Sequence, residues 1–135
     1  MRTIRGELFS STAKPSTEGG SQMTRVEFIY NNNINIGFRM EGHAMFNTKG
    51  PDIICASLSA TSQMTVNGIL DWTGLSLEDI MLEYDQYDAI LHIELQEEEL
   101  CSITVQQLLK SFELYVEMLA DIYTDNIKLE RRQKQ

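Results

Sequence analysis

Two runs of alternating residues, separated by three asparagines, constrain this chain more than any other feature. Val26, Phe28 and Tyr30 share one face of the first run, and Ile34, Ile36, Phe38 and Met40 share one face of the second. A period of two is that of a β-strand, whose side chains point alternately to opposite faces. Between the runs stands Asn31-Asn32-Asn33, and Asn accepts the left-handed backbone conformations of tight turns. The arrangement predicts a β-hairpin.

After Gly42-His43-Ala44 the alternation stops, and Asn47, Thr48, Lys49, Gly50 and Pro51 make a loop rich in structure breakers. A helix is predicted from about Asp52 to Leu70. It carries the small residues Ala56, Ser57, Ser59, Ala60, Thr61 and Ser62, which let it approach other elements closely. Ile80 to Tyr84 and Ala89 to Leu95 read as strands, with Asp85 and Gln86 in the turn between them. From about Thr104 to Arg132, Val105, Leu108, Leu109, Phe112, Tyr115, Val116, Leu119, Ile122 and Tyr123 recur at helical spacing. The polar tail from Lys128 is expected to fray. The order is ββαββα. It predicts an α+β two-layer sandwich, with an antiparallel or mixed four-stranded sheet, a helix rich in small residues and a long C-terminal helix. Leu114 and Met118 stand off the main stripe of the last helix; they widen the core face or meet a second subunit.

Length favours one domain for these 135 residues. Residues 1–22 are Ser-, Thr- and Gly-rich without periodicity, and read as a flexible leader or a cloning remnant. Residues 23–135 form the expected domain. With 42% hydrophobic and 23% charged residues, the composition is that of a globular protein. No run has the length of a membrane span, and the N-terminus lacks the apolar stretch of a secretory signal, so the expected location is cytoplasmic. A net charge of −9 argues against direct nucleic-acid binding, which needs clustered Lys and Arg. It suits solubility, or attraction to a basic protein partner. Two cysteines and two histidines, with no CxxC or HExxH spacing, do not make a metal site or a disulfide framework. Neither a metal nor another cofactor is expected.

The chemistry-bearing residues are Gly42-His43-Ala44 and, beyond the loop, Gly50-Pro51-Asp52-Ile53-Ile54-Cys55-Ala56. A helix N-terminus presents unpaired N–H groups and partial positive charge, both of which favour a thiolate. Asp52 as N-cap puts Cys55 in the first turn; Pro51 as the first helical residue puts it about a turn further in. His43 can take the thiol proton and return it to a leaving amine. Asp52 either orients His43 or only caps the helix. N–H groups around Ile54 and Cys55 are available to a developing oxyanion. Strict alternation places His43 on the face opposite Phe38 and Met40, so the pair meets only if Gly42 breaks the strand or His43 already belongs to the loop.

Gly42-His43-Ala44 followed by Gly50-Pro51-Asp52-Ile53-Ile54-Cys55-Ala56-Ser57-Leu58-Ser59-Ala60 resembles the signature of the ribosomal-processing cysteine proteases, from about Met23 onward. The resemblance implies an endopeptidase that removes a short N-terminal extension from large-subunit ribosomal protein twenty-seven, cutting between an aromatic residue and an alanine. It implies Cys55 as nucleophile, His43 as general base, Asp52 in support, and Ser59 and Gly50 toward substrate. It also implies a homodimer and a mobile cover at residues 45–51. Ser57 and Leu58 stand where many members carry Ala and Val. The alternatives are a non-enzymatic ribosome-assembly or interaction protein, and a redox-responsive thiol protein with Cys101 resolving an oxidised Cys55. His92, Cys101 and Trp72 read as a solvent-facing residue, a packing residue and a packing residue at a helix end. The run Glu97-Glu98-Glu99 suits the N-terminus of the last helix.

Overall fold

The computed structural model of the protein describes residues 23–42, 52–85 and 89–134. Strands β1 (Thr24–Asn31) and β2 (Ile34–Glu41) form the expected hairpin. Asn32 and Asn33 both take positive φ, 52° and 66°, as a two-residue hairpin turn matched to strand twist requires. The pairing slips between Ile29 and Tyr30, so that Tyr30 pairs with Asn35 and Ile36 is the extra residue of a β-bulge. Helix α1 (Asp52–Thr73) follows, then a single turn α2 (Leu77–Ile80), strands β3 (Met81–Asp85) and β4 (Ile90–Glu94), helix α3 (Ile103–Ile122) and strand β5 (Ile127–Gln133). Ile80 thus belongs to α2, and Asp85 closes β3 rather than lying in the turn.

The class is the expected α+β sandwich, but the sheet has five strands in the order β3-β4-β2-β1-β5. The tail does not fray: β5 runs parallel to β1, with Val26 opposite Leu129 and Phe28 opposite Arg131. Only Ile127 and Leu129 among its residues are apolar, which hid the strand from a reading of periodicity. What makes it a strand is the open edge of β1, whose backbone groups need partners. The last helix accordingly ends at Ile122, and the Tyr123 carbonyl accepts from the N–H groups of Asn126 and Ile127 at 2.9 and 3.1 Å. Since β4 and β5 run the same way, α3 is the crossover between them, lying over β2 and β1.

The core lies between the sheet and the two helices. Val26, Phe28, Phe38, Met40, Leu91 and Ile93 from the sheet meet Ile54, Leu58, Val66, Ile69 and Leu70 of α1 and Val105, Leu109, Phe112 and Val116 of α3. At its centre the Phe112 ring stands edge-on to Phe28 and Phe38, with centroids 5.5 and 5.0 Å away, a favoured aromatic geometry. Helix α1 satisfies its hydroxyls internally: Thr61, Thr65 and Thr73 donate to the carbonyls of Ser57, Thr61 and Ile69, four residues back. Leu108 lies over Gly68, where a Cβ would come within 3.2 Å of it. Leu114 and Met118 are about half exposed, so they do not widen the core. Among the described residues no helix is long and apolar enough to cross a membrane.

One carboxylate is buried on the helix layer. Glu113 of α3 accepts from the Tyr30 hydroxyl and from Arg131 Nε, joining β1, α3 and β5. Burial, and then the Glu113 carboxylate, push the Tyr30 phenol up to about 12. The open sheet face carries paired charges instead: Arg25 with Glu130, Arg132 with Glu27, Arg39 with Glu41 and Glu83, and Lys134 with Glu94. Pairs of this kind add little stability singly.

Two outcomes follow. Phe112→Ala lowers unfolding free energy by about 3–5 kcal/mol in urea titrations. Because the Tyr30 phenol ionises at about 12 in the folded chain against 10.0 for an unperturbed tyrosine, its contribution is complete below the lower value and is lost as pH rises toward the upper one. Thermal melts across that window should show a steeper loss for the wild type than for Tyr30→Phe.

Candidate active site

Helix α1 begins at Asp52, so Cys55 is in its first turn, where the helix field on a thiolate is strongest. Asp52 is the first helical residue, between the two expected registers. Ile54 and Leu58 are fully buried and pin this turn to the core. Ser59, one turn beyond Cys55, is half-buried, and its carbonyl accepts from Ser62 Oγ at 3.3 Å. The side-chain roles expected of Asp52 and Cys55, and the positions of His43 and Gly50 and of the cover at residues 45–51, lie outside the described residues.

The strand that leads to His43 is described to its end. Gly42 has φ 140°, a backbone conformation outside the β region of L residues. A Cβ here would lie 2.4 Å from the Met23 carbonyl oxygen and 2.7 Å from Thr24 Cα. The Gly42 N–H donates to the Ala89 carbonyl at 3.0 Å. Ala89 is itself buried, with φ 54°, a conformation that costs a non-glycine residue energy.

The helix contacts fix which end of the domain each part occupies. Gln106, early in α3, bridges to the Asn35 backbone, its Oε1 accepting from N–H at 2.9 Å and its Nε2 donating to the carbonyl at 2.6 Å. The start of α3 therefore lies by the Asn turn. Trp72 near the end of α1 donates from Nε1 to Ser102 Oγ, the N-cap of α3, at 2.9 Å, so the two helices run antiparallel. The end of α3 returns to Thr24, whose N–H donates to the Asn126 carbonyl at 2.8 Å. It follows that the first turn of α1, with Cys55, and the strand end at Gly42 belong to one end of the domain.

The remaining candidates separate from this end. Cys101 precedes the start of α3 and packs against the core; burial, and the nearby Glu98, push its thiol up to about 11. Between Cys55 and Trp72 the helix rises roughly 25 Å, so Cys101 is far beyond the reach of a disulfide with Cys55. His92 is on the open face, opposite the helices, but it is not solvent-facing: its side chain is 15% exposed and its Nε2 lies 3.0 Å from the buried Glu94. Trp72 is a correction as well, being mostly exposed. The acidic run forms a separate turn at Glu98–Leu100, and Ser102 Oγ caps α3 by accepting from the Val105 N–H. A cleft of about 400 Å³ between the Asn turn and the start of α3, lined by Tyr30, Asn35, Cys101 and Lys110, is at the end away from Cys55. Sequence reasoning did not single out Glu113, Gln106 or Ala89; a polar residue within an apolar stripe was the only available signal for the first two.

A two-layer α+β domain with a cysteine in the first turn of its buried helix fits the class of small thiol hydrolases. The family model described as cysteine protease Prp matches residues 23–128, and the chain belongs to that family of cysteine proteases. Among solved structures it is similar to SMU.848 from Streptococcus mutans, with 25% identity and a TM-score of 0.68 over 83% of this chain and 96% of that one. It is also similar to the essential ribosomal processing protease Prp from S. aureus, solved with a covalently linked product peptide, with 27% identity and a TM-score of 0.64 over 81% and 99% of the two chains. The same S. aureus protease with a substrate peptide matches at 26% identity and a TM-score of 0.64, over 81% and 99%. No curated protein matches the chain.

Gly42→Ala should destabilise the protein by at least about 1–3 kcal/mol in thermal or urea unfolding, since both the φ and the space are wrong for a side chain. In Cys55→Ala the remaining thiol should react slowly with iodoacetamide at neutral pH, gaining rate only as pH nears about 11.

Proposed function

We propose that the protein removes a short N-terminal extension from a large-subunit ribosomal protein precursor, with Cys55 as nucleophile and His43 as general base. The observation that carries this reading is the convergence of the α1 start and the Gly42 strand end at one end of the domain. It is supported by the likeness to the S. aureus ribosomal processing protease.

In this reading the Cys55 thiolate, favoured by the helix terminus and by an imidazolium at His43, attacks the scissile carbonyl. The N–H groups near Ile54 and Cys55 receive the oxyanion. His43 passes the proton to the leaving amine, and water then releases the acyl group from sulfur. Asp52 supports the helix start; Ser59 and Gly50 contact the peptide. The acidic chain, at −9, attracts a basic ribosomal precursor in the cytoplasm. Leu114 and Met118, exposed on α3, belong to a homodimer contact.

The test is incubation with a precursor peptide carrying an aromatic–Ala junction, with products followed by mass spectrometry. Cleavage at that junction is expected, falling by about 100-fold or more in both Cys55→Ala and His43→Ala. A folded, reduced wild type that leaves the peptide intact contradicts the substrate assignment; full activity in either variant contradicts the pair.

A further inference from the structure

The cleft between the Asn turn and the start of α3 holds about 400 Å³, and one residue of its wall is both polar and buried. Asn35 is 3% exposed, and among the described residues its Nδ2 has no hydrogen-bond partner. Asn35 is paired with Tyr30 across the hairpin, and the Tyr30 hydroxyl reaches Glu113 of α3. Residues directly opposite in an antiparallel ladder share a face, so the Asn35 side chain is turned toward the helix layer and the cleft.

The hydrogen-bonding groups of this wall are unequally used. Asn35 Oδ1 accepts from the Gly37 N–H at 3.1 Å, which fixes the sense of the amide and leaves its NH2 over. Gln106 is engaged at both ends by the Asn35 backbone. The two Glu113 oxygens accept from Tyr30 and Arg131. The buried side-chain acceptors are therefore taken, while the buried donor Asn35 Nδ2 is not. Lys110, one turn after Gln106, also lines the cleft, and it makes no ion pair among the described residues. Ile103, the first residue of α3, is on the same wall, and the start of a helix carries unpaired N–H groups and partial positive charge.

Nearly all buried polar groups in proteins are paired. An ammonium, a buried amide donor and a helix start call for the same kind of partner, a negatively charged acceptor. Its charge is limited, because Glu98 lies close enough to Cys101 on this wall to raise the thiol, and a second negative charge there is repelled. The Ile103 side chain and the Tyr30 ring suit a short apolar body. We propose that the cleft binds a monocarboxylate with a short apolar body, its oxygens received by Asn35 Nδ2 and Lys110 Nζ. The cleft is remote from the Cys55 end, so the inference stands apart from the proteolytic reading. A free small acid and the C-terminal carboxylate of a peptide share this chemistry.

The experiment records proton–nitrogen correlation spectra of the isotope-labelled full chain during titration with butyrate, N-acetyl-leucine or N-acetyl-leucinamide. The Asn35 side-chain NH2 signals are identified by their absence from Asn35→Asp, which keeps an acceptor for Gly37. N-acetyl-leucine should shift those signals saturably, with a Kd of about 1 mM. The uncharged amide should leave them in place, and Lys110→Gln, an exposed change that preserves the fold, should weaken binding about 10-fold. Saturation by butyrate as well identifies free small acids as sufficient; saturation by N-acetyl-leucine alone identifies a peptide C-terminus, and either supports the site. Equal binding of the uncharged amide overturns the proposal, as does undiminished binding in Lys110→Gln. So does the absence of any shift at the Asn35 NH2 up to about 50 mM of either acid, which leaves water alone as its partner.

Discussion

The domain is organised by the seating of α3 on the sheet, with the Phe112 ring against Phe28 and Phe38. That contact sets α3 across β2 and β1, with its start at the Asn turn and its end at Thr24. Once α3 is placed, the antiparallel packing of α1 against it determines where the first turn of α1 goes. The first turn of the buried helix, with Cys55, is therefore brought to the end of the domain that holds the Gly42 strand end by aromatic packing in the middle of the core. The Glu113 contacts with Tyr30 and Arg131 add a directional lock. Burying a carboxylate is costly unless its partners are held in place, and here they come from β1 and β5.

What could be read from the sequence was what depends on short-range patterning. The Asn turn, the alternation of Val26 to Tyr30 and the small-residue helix each follow from local backbone preference, and each is present. The strand β5 was not legible, because a strand at a sheet edge with charged outward residues carries almost no hydrophobic period; it exists because β1 has an edge to fill. The end of α3 was misplaced for the same reason. His92 was placed on the correct face but given too much solvent: Glu94, two residues on in the same strand, pairs with it, and Glu94 is in turn held by Lys134, just past the end of β5. At the site, the sequence pointed to Gly42 as the place where the strand could depart from regular geometry, and Gly42 has a positive φ of 140°.

The two thiols illustrate how position decides reactivity. Cys55 is in a helix first turn, where unpaired N–H groups favour an anion. Cys101 lies in a half-buried setting with Glu98 nearby, and both effects raise its pKa. The fold keeps them at opposite ends of the domain, which removes Cys101 as the resolving partner of an oxidised Cys55 within one chain. A proteolytic role has no need of Cys101.

The central claim is that Cys55, and no other group, is the nucleophile. The most direct measurement uses a peptide with the aromatic–Ala junction whose scissile carbonyl is replaced by a thiol-reactive electrophile, followed by intact mass and peptide mapping of the protein. The account predicts one adduct per chain, located at Cys55 and formed far more slowly in His43→Ala. An adduct at Cys101, or equal labelling with and without His43, would contradict it.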